Sequence, residues 1–192
     1  MRQEWKSRRG NTVLEFTLVG IPLVFVLVSI FEISRGMWIY HTLAHAIKAG
    51  VRYAAVHGQN CRVAPNTCPA PAGSAATYGD SIGAVAYMIQ SNGAGLIPGQ
   101  FHLTFCAPMS GTASTCLAGS AGYVDCPTLS DCLTNNTQWP PTGANRVGFD
   151  DVKVIGIYPF ASAIALVWPG SRGSDVFPTF NLPASAREKL EF

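Results

Sequence analysis

A single carboxylate, Glu15, stands at the start of an apolar run that is otherwise suited to lipid. Residues 16–31 carry no charge, and Glu15 and Glu32 bound them. A carboxylate inside a bilayer costs roughly 2.5–3.5 kcal/mol unless it is neutralised, paired or held at the interface. Glu15 therefore needs a proton or a cation if it lies within the bilayer.

Cleavage of the chain after Gly10 would supply that cation. Asn11 would then be the first residue and Glu15 the fifth, one helical turn inside a new α-amine. Glu15 is too close along its own helix to pair ideally with this amine, but a neighbouring subunit shifted along a filament axis can offer its own. Breaking such a buried pair costs about 3–5 kcal/mol, so the pair would fix the assembly register. The alternative is a carboxylate that lies among headgroups, at the edge of an ordinary anchor.

Six cysteines form the second group of residues with distinctive chemistry. Their spacings are wider than the tight C-x2-C pairs typical of zinc sites, which favours disulfides over metal ligation or free thiols. Pairing of sequence neighbours is the simplest of the 15 possible connectivities and would close three short loops. The predicted pairs are Cys61 with Cys68, Cys106 with Cys116, and Cys126 with Cys132.

No catalytic or cofactor motif accompanies these residues. His41 and His45 stand at i, i+4, but no glutamate follows His41 as an H-E-x-x-H zinc site requires, so a polar stripe on a helix is the preferred interpretation. Motifs of serine hydrolases, P-loops and dinucleotide-binding folds are missing, and a formal charge of +2 is too small to indicate nucleic acid. The sequence predicts no enzyme, no metal, no cofactor and no nucleic-acid partner.

The element that must position Glu15 is a membrane helix. Charged residues make up 12% of the chain, about half of the usual ~25%. Residues 16–31 cover only about 24 Å of a ~30 Å hydrocarbon core, whereas residues 11–31 span it and draw Glu15 into or beside the bilayer. The positive-inside rule keeps the basic N-terminus cytoplasmic and places residues beyond about 35, with all six cysteines, outside. The basic residues are Arg2, Lys6, Arg8 and Arg9.

These residues carry a resemblance. "RRG" followed by "NTVLEF" resembles the cleavage site of a type IV prepilin, and residues 31–43 and 46–58 resemble the TadE-like family of tight adherence (Tad/Flp) pilus systems. The segment F-E-x-x-R is represented by Phe31, Glu32 and Arg35. The stretch A-x-x-G-A-R-x-A is represented by Ala49, Gly50, Arg52, Tyr53 and Ala54. The ending "LPASAREKLEF" is similar to the family's last strand, which carries an arginine and a glutamate.

The resemblance implies a structural minor pilin or pseudopilin that assembles into, initiates or caps a tight adherence pilus. A prepilin peptidase would cut between Gly10 and Asn11, and the subunit contacts would involve Glu15, Phe16, Glu32 and Arg35. The implied partners are other pilins, the inner-membrane assembly machinery and the lipid bilayer. The implied location is the bacterial inner membrane, crossed once, with the C-terminal domain periplasmic. The alternative is an uncleaved single-pass protein with an extracytoplasmic binding domain.

The predicted fold class is α+β, a pilin-like αβ roll. Its segments are a leader (1–10), a transmembrane helix (11–34), an amphipathic continuation (35–58) and an extracytoplasmic α+β domain (59–192). In this domain, residues 80–95 read as a second helix capped by Asp80 or Ser81, and residues 107–146 as a cysteine-bearing loop. Strands are expected at 101–106, 148–160 and 179–187, with the apolar segment 161–170 packed under a small antiparallel sheet.

Overall fold

The described part of the chain folds as a long helix, two short helices and a four-stranded antiparallel sheet, in agreement with the predicted fold class. A computed structural model describes residues 8–57, 68–107, 116, 118–120, 122–141, 151–162 and 179–190. The helices are α1 (Arg8–His57), α2 (Ile82–Asn92) and α3 (Leu129–Leu133), and the strands are β1 (His102–Cys106), β2 (Val124–Cys126), β3 (Asp151–Ala161) and β4 (Thr179–Lys189).

The described residues divide into two compact units. The chain passes from one unit to the other between Met37 and Trp38, between Phe160 and Ala161, and between Thr179 and Phe180. The first unit therefore holds the apolar half of α1 and the end of β3, and the second unit holds the rest of α1, α2, α3 and nearly all of the sheet. We refer to the second unit as the head.

The sheet of the head has the strand order β2-β1-β3-β4, and β1 runs antiparallel to both β2 and β3. In β3 the side chains alternate strictly, so that Val152, Val154 and Tyr158 are buried while Ile155 and Ile157 are only half-buried. A two-residue period places Ile155 on the opposite face of the strand from Val154.

The core of the head lies between the sheet and the buried sides of α1 and α2. One face of α2 is completely buried; it consists of Ile82, Val85, Ala86 and Ile89. Two glycines allow close approach here. An added Cβ at Gly50 would lie 2.4 Å from Ile89 Cγ1, and one at Gly156 would lie 2.6 Å from Ile47 Cδ1. The first contact lets α1 pack on α2, and the second lets α1 pack on β3.

The segment expected to be one long loop contains secondary structure that the sequence analysis missed. It forms β2 and α3, and a reciprocal capping box between Thr128 and Asp131 starts α3. The segment after α3 also completes the start of α2, because Thr137 O and Asn135 O accept the amides of Ile82 and Gly83 at 3.0 and 2.8 Å. Ser81, one of the two predicted caps, accepts the amide of Ala84. Most of 161–170 lies outside the described residues.

Candidate subunit-assembly site

The residues predicted to mediate processing and assembly lie along the first half of α1. The helix begins at Arg8 and passes through Gly10 and Asn11 without interruption. Glu15 is exposed on this helix, one turn after Asn11, and the neighbouring Phe16 side chain is 77% exposed. The backbone therefore has the geometry that the Glu15 hypothesis assumed, a carboxylate one helical turn from the predicted new terminus.

The apolar half of α1 is unusual because its large side chains are exposed along its length. The helix holds one segment long and apolar enough to cross a bilayer, with a mean hydropathy of 2.4 and none of it buried. Its hydroxyl groups bond to the helix itself: Thr17 donates to Leu14 O at 3.0 Å and Ser29 to Phe25 O at 2.8 Å. Exposure of such a large apolar surface to water is unfavourable, whereas lipid or another apolar helix can cover it.

One side of this half forms a groove of about 480 Å³ on the helix surface. Gly20 lines the groove and has no side chain to fill it. A Cβ built at this residue would lie 3.9 Å from the Phe16 ring. Nearly all of the exposed surface in the groove is apolar. The described residues that line it are Phe16, Thr17, Gly20, Ile21, Val24, Phe25, Val28 and Ser29.

Glu32 and Arg35, the other two predicted assembly residues, make contacts within the chain. Glu32 Oε2 lies 3.7 Å from Arg35 Nη2 and accepts a hydrogen bond from Ser162 Oγ at 3.1 Å. Arg35 also donates to the carbonyl of Ala161. The pair thus holds the end of β3 against α1. About half of the Arg35 side chain stays exposed, so a contact with another subunit remains a prediction.

The second stretch of α1 that resembles the TadE-like family, from Ala49 to Ala54, lies in the head and mainly packs against its core. Val51 and Ala54 are buried, and Gly50 faces Ile89. Arg52 has its side chain 64% exposed and lies 3.6 Å from Glu188 Oε1 on β4. The C-terminal segment that resembles the family's last strand carries its arginine and glutamate at residues 187 and 188. Glu188 contacts Arg52 on α1, and Arg187 donates a hydrogen bond to the buried Asp151 on β3.

Tyr53 follows Arg52 on the helix and faces the interior of the head. Its ring stacks on His57 with the centroids 4.1 Å apart. Burial, and secondarily the charge of Asp80, raises the pKa of the Tyr53 phenol above its usual value near 10. The phenol is therefore protonated at neutral pH and acts as a packing group.

The observed disulfides follow the sequence-adjacent prediction where the structure describes both partners. Cys106 is bonded to Cys116 and Cys126 to Cys132, with Cα–Cα distances of 5.7 and 5.8 Å. Cys68 is also disulfide-bonded, and its predicted partner, Cys61, lies outside the described residues. The second bond joins β2 to α3, so it stabilises the part of the head that starts α2.

A small polar cluster joins strands β1 and β2. Asp125 Oδ1 is 3.0 Å from both His102 Nε2 and Thr104 Oγ1. One carboxylate oxygen is therefore shared between the imidazole and the hydroxyl group. His41 and His45 are both exposed, and within the described ranges no three potential metal-ligating side chains cluster.

Comparison with known protein families finds a match to the first part of the chain. The family described as TadE-like protein matches residues 10–52, which include Glu15, Phe16, Glu32 and Arg35 and end at Arg52. This confirms the resemblance inferred from the sequence over that segment. No curated protein and no solved structure matches the chain.

Proposed function

We propose that the chain is a structural minor pilin or pseudopilin of a tight adherence pilus and has no enzymatic role. The observation that carries this proposal is the extent of the TadE-like match, which begins at Gly10, the residue before the predicted cut, and continues through the exposed apolar helix. In this proposal a prepilin peptidase removes the leader 1–10, residues 11–34 cross the inner membrane once, and residues 35–58 continue as an amphipathic helix into a periplasmic domain (59–192).

Assembly in this proposal takes place in the bilayer, alongside other pilins and the inner-membrane assembly machinery. The first half of α1 associates laterally with neighbouring helices, because between helices in lipid the attraction comes from close packing and from satisfied polar groups rather than from the hydrophobic effect. The groove around Gly20 supports close packing, and the position of Glu15 one turn from Asn11 supports an ion pair with a neighbour's amine. A register-specific contact results, because the pair forms at one axial offset only.

The first prediction is that the mature chain begins at Asn11. Intact-mass measurement or N-terminal sequencing of protein extracted from membranes that contain an active prepilin peptidase should find this end. Gly10→Val should leave the full-length chain, because a bulky side chain at the cut blocks processing, while Gly20→Val in the same helix should still be cleaved. Recovery of only full-length wild-type protein would instead support the alternative, an uncleaved single-pass protein with an extracytoplasmic binding domain.

A further inference from the structure

The start of α2 is completed by a segment that lies far from it in the sequence. The amides of Ile82 and Gly83 belong to the first turn of the helix, where the helix itself offers no acceptor. Both residues are buried, so their amides need partners within the protein. The carbonyls of Thr137 and Asn135 accept them at 3.0 and 2.8 Å. The first turn of α2 is therefore complete only when residues 134–139, which we call the capping segment, lie against it.

The capping segment makes further contacts around the same point. The Trp139 amide donates to the Asp80 carbonyl at 2.9 Å, and Asn136 Oδ1 accepts the amide of Thr77 at 2.8 Å. The Trp139 side chain is buried and packs edge-on against the ring of Phe105, with the centroids 5.2 Å apart. Docking of the segment thus joins the chain just before α2 to strand β1 of the sheet.

Only short secondary structure leads into the capping segment. It follows α3 directly, and α3 has five residues, too few for a helix to be stable by itself. Strand β2, which precedes α3, pairs with β1 through three residues. The Cys126–Cys132 disulfide joins the end of β2 to α3 and removes conformational freedom from the unfolded loop between them. The bond therefore holds α3 in the position from which the capping segment reaches α2.

Both cysteines of this disulfide are inaccessible in the folded head. Cys132 is 0% exposed and Cys126 is 3% exposed. Thiol–disulfide exchange requires a thiolate to reach a sulfur atom of the disulfide, so its rate depends on access. Cys106 is also buried, but its partner Cys116 is partly exposed. Exchange can therefore reach the Cys106–Cys116 bond in the folded head, whereas burial protects the Cys126–Cys132 bond.

We propose that the Cys126–Cys132 bond forms before the capping segment docks, and that docking then completes α2 and shields the bond. The reaction that must precede docking is oxidation of the two thiols by an external disulfide. One cysteine thiolate attacks that disulfide, which gives a mixed disulfide and releases one thiolate. The second cysteine thiolate attacks the mixed disulfide and releases the other. The protein loses two electrons, and its two thiol protons pass to the released thiolates.

The start of α2 is thus formed in oxidised protein only. This order of events does not depend on the proposed pilus function, because it rests on contacts within the head. Its failure would leave cleavage after Gly10 and assembly through α1 untouched.

Reduction of the native protein tests whether docking shields the bond. Full-length protein in detergent is treated with dithiothreitol at neutral pH, alkylated at intervals with iodoacetamide and examined by peptide mass spectrometry. Cys106 and Cys116 should be labelled at least tenfold faster than Cys126 and Cys132, and the two rates should converge in denaturing guanidinium chloride. Equal rates in the native protein would overturn the proposed order. A difference that persists in denaturant would also overturn it, because shielding would then not be the cause.

Hydrogen exchange tests the coupling between the disulfide and α2. In the variant with both Cys126→Ser and Cys132→Ser, the amides of residues 77–85 should exchange at least tenfold faster than in the wild type. Peptides from β3 should change less than twofold. The matched control, Cys106→Ser with Cys116→Ser, should leave residues 77–85 within twofold of the wild type.

Three results of the exchange experiment would overturn the coupling. They are unchanged exchange of residues 77–85 without the Cys126–Cys132 bond, equal increases in the two double variants, and loss of protection in β3 as large as that at the start of α2. The reduction rates are measured on the wild type, so they decide the order of events even where a double variant fails to fold.

Discussion

At the scale of single residues, the four predicted assembly side chains divide into two kinds. Glu32 and Arg35 lie 3.7 Å apart and hold Ser162 and Ala161 at the end of β3, so the chain's own fold already explains their charges. Glu15 and Phe16 instead lie exposed on the apolar half of α1. The case for an intermolecular contact is therefore stronger for Glu15, which stands where a carboxylate is expensive in lipid.

The substitution Glu15→Gln removes the charge of this side chain and keeps nearly the same volume. Glu15→Gln should keep the helix and its insertion, because glutamine is similar in volume and removes the cost of burying a charge. Co-purification with other pilins should fall tenfold or more, since the loss of one partner from a buried ion pair costs about 3–5 kcal/mol and every 1.4 kcal/mol is tenfold in affinity.

Glu32→Gln is the matched control for this measurement, because its carboxylate has Arg35 and Ser162 as partners in the same chain. It should reduce co-purification less than Glu15→Gln does. A Glu15→Gln protein that inserts, is cleaved after Gly10 and still co-purifies at the normal level would show that the carboxylate is merely interfacial.

At the scale of elements, α1 is one continuous helix whose two halves have different surroundings. Its first half exposes apolar side chains on all sides, and its second half buries one face against α2 and the sheet. Gly50 is a point of close approach, where α1 packs on Ile89 of α2. This contact explains in physical terms why the family-like stretch needs a residue without a side chain there.

Gly50→Ala should destabilise the head by about 1–3 kcal/mol through overpacking, even though alanine favours helix by about 1 kcal/mol. Denaturant unfolding of the protein in detergent measures the change. Gly20→Ala is the control in the same helix, because its Cβ meets nothing closer than 3.9 Å. Ile89→Ala should relieve the effect, so additive losses in the double variant would contradict the assigned contact.

Elements with a long, repeated pattern were predictable from the sequence, and short ones were not. Helix α1, the buried face of α2 and strand β1 follow from apolar periodicity, and Ser81 follows from cap chemistry. Strand β2 has only three residues, too few to show alternation, and α3 has five.

In the candidate site Glu15, Phe16, Glu32 and Arg35 were named from the sequence, but the contact between Arg35 and Ala161 spans 126 positions and leaves no local signal.

At the scale of the whole molecule, the C-terminal strand β4 connects α1 and β3 of the head through ion pairs. Strand β4 is an edge strand that buries little apolar surface, with Ala184 as its one fully buried side chain among the described residues. Two adjacent side chains compensate for this small burial: Glu188 pairs with Arg52 on α1, and Arg187 pairs with Asp151 on β3. The strand is therefore attached by charge to the helix on one side and to the sheet on the other.

The two attachments should differ in strength because they differ in burial. The Asp151 side chain is 6% exposed, so Arg187→Met leaves a buried carboxylate without its cation and should lower the free energy of unfolding by about 1–3 kcal/mol. Arg52→Met breaks a pair that water already screens and should cost about 1 kcal/mol or less. Denaturant midpoints of the two variants decide the question, and 0.5 M salt should reduce only the Arg52 effect, since screening acts mainly on exposed pairs. Equal losses would mean that both sides hold β4 alike, and a larger loss for Arg52→Met would mean that the helix side dominates; either result would contradict the prediction.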